Sequence, residues 1–146
     1  MKALSNLPDD DHIMRYVPWG RLRRDGDDNV LGFLPQGFQR RETEESLSVN
    51  WIEYFSGDRH SQITASVRMF RQTITVGSKS AFGIGHVGKT KDVCRAHGAV
   101  VRIIYEPTDD NPAHAGIRRL PREDFTLLEA LAADAFVELI HNTAIP

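Results

Sequence analysis

Gly83-Ile84-Gly85-His86-Val87-Gly88-Lys89-Thr90 spells the phosphate-loop pattern G-x-x-x-x-G-K-[ST] in full. In such a loop the glycines let backbone N–H groups close on phosphate oxygens, the lysine neutralises the outer phosphates, and the Ser/Thr hydroxyl holds Mg²⁺ at a helix N-terminus. Gly83, Gly88, Lys89 and Thr90 are thus the candidate cofactor-binding residues, with a nucleotide and Mg²⁺ as the ligand they would take. The context argues the other way. Thr75–Phe82 is polar and broken by Gly77, where a buried parallel strand reads as a continuous apolar run. Too few residues follow the motif for the several-stranded parallel sheet that surrounds such loops. The segment reads first as a glycine-flexed strand-to-helix turn, and no cofactor is expected.

Cys94 and His97 lie three residues apart on a short helical stretch, a spacing that puts them on one face as a thiolate–imidazolium pair or half a metal site. His86 and His114 could complete a set, but their spacing matches no zinc pattern, and no metal is expected. Cys94, His97 and His114 are the candidate catalytic residues, set against a simpler reading of a buried thiol and a histidine at a helix C-terminus. His114 follows the turn Pro107–Pro112, where loop residues after a strand often carry function.

A third constellation is basic. Arg15-Tyr16, Trp19 and the run Arg21-Leu22-Arg23-Arg24 interleave aromatic and cationic groups, as single-strand nucleic-acid platforms do. Asp25, Asp27 and Asp28 follow directly and would repel phosphate, so nucleic acid bound at Arg15–Arg24 is the alternative to a protein partner contacted through Trp19, Arg21, Arg23 and Arg24. Asp25-x-Asp27-x-Asn29 opens like a calcium loop, yet Val30 and Gln36 stand where a glycine and a bidentate glutamate are needed.

The chain has 146 residues, enough for one domain over 1–146, with residues 1–46 charged and turn-rich. Net charge is −2, which gives no global attraction to nucleic acid or anionic lipid. One cysteine excludes an internal disulfide, no secretory leader or membrane span is legible, and the expected location is cytoplasmic. Arginine outnumbers lysine 14 to 4, a bias that fits a bacterial genome.

The elements that must position these residues follow from hydrophobic period. Ile13–Val17 and Leu47–Phe55 read as strands, Ala99–Tyr105 as the strongest strand, and His114–Arg118 as a brief one. Ile63, Val67, Phe70 and Ile74 form one helical stripe after a cap at Ser56 or Asp58, and Lys89–His97 reads as a helix stopped by Gly98. Pro121 at a first helical position, with Phe125, Leu128, Ala132, Ala135 and Leu139 on one face, predicts a long C-terminal helix of four to five turns. The expected fold is an α+β two-layer domain, a mixed or antiparallel sheet packed by two main helices. The expected function is a non-catalytic accessory or protein-interaction domain whose contact surface is the charged N-terminal third. A phosphate-binding enzyme using Gly83–Thr90 is the alternative.

Overall fold

Ile13 and Val17 alternate with Met14 and Tyr16, a pattern suited to a strand covered on both faces. In the computed structural model, which describes residues 1–146, this segment is strand β1 (His12–Val17). It is followed by β2 (Leu22–Arg24), β3 (Val30–Phe33), β4 (Ser46–Trp51), β5 (Ala81–His86), β6 (Arg102–Tyr105), β7 (His114–Arg118) and β8 (Glu138–His141). Three helices, α1 (Arg59–Thr73), α2 (Val87–Ala96) and α3 (Phe125–Ala130), are interspersed. Six strands form one sheet in the order β6-β7-β4-β1-β5-β8, and β2 and β3 form a separate hairpin. Every neighbouring pair is antiparallel. No helix is long and apolar enough to cross a membrane.

The two faces of the sheet bury separate cores. Ile13, Val17, Leu47, Val49, Ile103 and Ile117 pack with Cys94 of α2, Leu127 and Leu128 of α3, and Leu22 and Phe33 of the hairpin. On the opposite face Met14, Phe82 and Ile84 meet Ile63, Val67 and Phe70 of α1. Asp58 caps α1 by accepting the Ser61 N–H at 2.8 Å. The expected stripe on α1 holds except at Ile74, which is exposed just past the helix end.

The C-terminal expectation is corrected. Asp124, which accepts the Leu127 N–H, is the N-cap of α3, so Pro121 precedes the helix rather than starting it. The helix runs for six residues and passes into a five-residue π-helical turn, Leu131–Ala135. Leu139, expected on the helix, is half-buried in β8 and pairs with Gly83. The cause is Phe136, whose ring stacks on Phe38 at 4.7 Å and lies over Gly85. Burying that ring turns the chain out of the helix, and the freed backbone pairs with the open edge of β5. The α+β architecture is as expected: a six-stranded antiparallel sheet packed by helices, of which the last is short.

Gly83 and Gly85 sit in β5, where a strand would ordinarily favour β-branched side chains. A Cβ on Gly83 would lie 3.0 Å from the Phe33 ring, and one on Gly85 3.2 Å from the Phe136 ring. Gly83→Val should therefore destabilise by about 1–3 kcal/mol despite the better strand propensity, and Phe70→Ala by about 3–5 kcal/mol. Urea unfolding of the two variants tests both; an unchanged midpoint for Gly83→Val would mean that the aromatic rings do not need the space.

Candidate functional site

Strands β1 and β4 are central neighbours, yet they share only the register pairs Ile13↔Trp51 and Met14↔Asn50. Beyond these the strands part, although β1 stays paired with β5 as far as Val17 and β4 with β7 as far as Ser46. The 3₁₀ turn Pro35–Phe38 packs against the opening, with Gly37 so near Val17 that a Cβ there would lie 3.1 Å from Cγ1. Strands that separate leave backbone carbonyls in need of donors. Arg15 supplies one: Nη1 donates to the Ser48 carbonyl of β4 at 2.9 Å, while Nε donates to the Gly37 carbonyl of the 3₁₀ turn at 3.0 Å. Nη2 has no protein partner. Desolvation, and then the charge of Arg21, lowers the Arg15 pKa to about 10, so the guanidinium remains charged at neutral pH.

The gap opens into a cleft of about 820 Å³ lined by Arg15, Arg21, Arg40, Arg41, Arg122 and His114, against which stand only the carboxylates of Glu44 and Asp110. Most of these arginines are held by carbonyls. Arg21 donates to Gln36, Arg40 to Leu120 and Glu44, and Arg122 to Arg40, each to a backbone oxygen at 2.8–3.1 Å. A carbonyl fixes a guanidinium in place without cancelling its charge. The carboxylate contacts are peripheral: Arg41 to Glu44 at 3.9 Å and Arg122 to Glu123 at 3.3 Å, both with an exposed partner.

His114 enters the cleft from β7. Its Nδ1 lies 2.8 Å from the Glu106 carbonyl, which can only accept, so Nδ1 carries the proton in the neutral ring. Nε2 is then an acceptor, and the Ser48 hydroxyl donates to it at 3.1 Å. The register pairs His114 with Asn50 and Ser48 with Gly116, so the imidazole reaches Ser48 across a residue with no side chain. A Cβ on Gly116 would collide with the Glu106 carboxylate and the Ser46 side chain. Glu106 in turn takes the Ser46 hydroxyl and Arg118 Nε, the latter at 2.7 Å. Asn111 donates to Asn50 at 2.8 Å, fixing the loop beside His114.

No family model matches this chain. No curated protein and no solved structure is significantly similar to it either.

The residues singled out by sequence fall in several places. Gly83 lies in β5 with ladder partners on both sides, not in a loop. At the start of α2 the Gly88 N–H donates to the Asp9 carbonyl, the Lys89 N–H to His86 Nδ1, and the Thr90 hydroxyl to the His86 carbonyl. Those donors are committed to protein acceptors. Cys94 is buried and His97 exposed, so the two do not share an environment. Arg23 forks onto Glu129 at 2.7 and 2.9 Å, and Arg24 bonds Asp28 and lies 4.3 Å over the Trp19 ring. Of that interaction set, Arg21 alone lines the cleft. His114 is brought to a partner, Ser48, that the sequence reading does not single out; Arg40 comes from the charged N-terminal third, and Arg122 joins from a segment given no role there.

Burial pushes the Cys94 thiol up to about 11, which leaves little thiolate near neutrality. Alkylation of the native protein by iodoacetamide at pH 8 should run at least roughly a hundredfold slower than in denaturant, and accelerate only as the pH approaches that value. Rapid native labelling at pH 8, read by mass spectrometry, would return Cys94 to the list of reactive groups.

Proposed function

We propose that this protein is a ligand-binding domain whose ligand carries a phosphate group, seated in the cleft between β1 and β4. The observation that carries the reading is Arg15, a desolvated guanidinium held only by carbonyls and with no protein partner at Nη2, which lines a cleft rich in further arginines. A planar carboxylate is satisfied by a single guanidinium fork. A phosphate presents more negative charge and three oxygens in different directions, which suits arginines arriving from several segments. The cleft volume of about 820 Å³ falls in the range of sites for small organic ligands. The reading replaces the protein contact expected at Trp19, Arg21, Arg23 and Arg24 with a small anionic ligand centred on Arg15, and of that set retains Arg21.

Phenylphosphonate, which has no ester bond to lose, is the probe. In calorimetry it should bind more tightly than benzoate, and Arg15→Met should weaken it by about tenfold or more, roughly 1.4 kcal/mol. Lys89→Ala and Arg23→Ala should leave its affinity unchanged, with thermal melts confirming that each variant folds. Equal affinity in wild type and Arg15→Met, or no binding, sinks the reading. Loss of binding in Lys89→Ala would favour the Gly83–Thr90 segment. Capture of single-stranded RNA with a steep salt slope, surviving Arg15→Met and lost in Arg23→Ala with Arg24→Ala, would favour a nucleic-acid surface.

A further inference from the structure

Resting on that reading, we propose that the cleft cleaves phosphomonoesters, with Ser48 as the nucleophile and His114 as its general base. The pair has the parts that such chemistry requires: a hydroxyl donating to an imidazole nitrogen, and a third group orienting the imidazole. Ser48 Oγ stands 3.1 Å from His114 Nε2, and the Glu106 carbonyl holds His114 Nδ1 at 2.8 Å, which selects the tautomer whose Nε2 can take a proton. Both side chains line the arginine cleft. Arg15 is tied to the nucleophile's own residue, because its Nη1 donates to the Ser48 carbonyl at 2.9 Å. A phosphate held by Arg15 therefore lies in the same cleft as the Ser48 hydroxyl. Arginines fixed before the ligand arrives stabilise charge on transferring phosphoryl oxygens without reorganising.

The step balances without a further reagent. Ser48 Oγ attacks phosphorus as its proton passes to His114 Nε2. The bond from phosphorus to the ester oxygen breaks, and the departing alkoxide takes the proton from the imidazolium. The phosphoserine is then hydrolysed by water, whose proton goes to His114 Nε2 as the new P–O bond forms, and Ser48 Oγ leaves and recovers that proton. The sum is a phosphomonoester and water giving an alcohol and inorganic phosphate.

The substrate for the test is 4-nitrophenyl phosphate, followed by release of 4-nitrophenolate and by mass spectrometry of acid-quenched protein. Wild type should turn over and carry a phosphoryl group on Ser48. Ser48→Ala should abolish both while keeping its affinity for phenylphosphonate. His114→Gln should lower kcat by about 10²–10⁴-fold with little change in KM. Phenylphosphonate binding with neither turnover nor phosphoserine overturns this inference and leaves the binding reading standing. Turnover that persists in Ser48→Ala overturns the nucleophile. Absence of phenylphosphonate binding in wild type removes both readings together.

Discussion

Backbone carbonyls in the middle of a sheet must find donors, and between β1 and β4 the neighbouring strand does not provide them. Arg15 does, with one nitrogen on the Ser48 carbonyl and another on Gly37. The sheet can therefore stay open at its centre without leaving the Ser48 carbonyl unpaired. From this one substitution of a guanidinium for a ladder rung follow the cleft, the seat of the Pro35–Phe38 turn and the access of solvent to Ser48 and His114. A cation in that position also carries a solvation cost, seen in its lowered pKa. An anion in the cleft would relieve it.

The arginines divide by what holds them. Arg23, Arg24, Arg59 and Arg118 pair with carboxylates and add little net charge to their surroundings. Arg15, Arg21 and Arg40 are held by carbonyls and keep theirs. Being held by carbonyls does not by itself mark a ligand site, as Arg71 shows. All three of its nitrogens donate, to Asn142 and to the Ile145 and Pro146 carbonyls, pinning the C-terminus to α1. Arg71 is spent on the fold, whereas Arg15 retains a donor.

Much of the fold was legible because its signals are local. The Ile63, Val67 and Phe70 stripe, the short apolar piece Ile13–Val17 and the apolar run ending at Tyr105 each declare an element from a few adjacent residues. The last helix misled because Leu128, Ala132 and Ala135 continue a helical period that Phe136 overrides through a tertiary contact. The site was less legible. Within the phosphate-loop segment Gly83 and Gly85 make room for Phe33 and Phe136, rings supplied by distant segments. His114 stood out alone; its partner Ser48 lies 66 residues earlier and reaches it only through the antiparallel register of β4 and β7. Arg15 read as one member of a basic and aromatic run, because nothing local reveals that β1 and β4 separate beside it.

The sparse pairing of β1 with β4 divides the sheet into two ribbons, β6-β7-β4 and β1-β5-β8. They are stitched at one end by Ile13, Met14, Asn50 and Trp51, with Trp51 Nε1 also donating to Asp11 at 2.8 Å. That end is joined by backbone pairing, and across the opposite end Arg15 reaches from β1 to the Ser48 carbonyl of β4. Each ribbon keeps its own ladder of hydrogen bonds. The width of the opening is thus set by one side chain rather than by a row of backbone bonds, with Arg15 as the strut between two half-sheets.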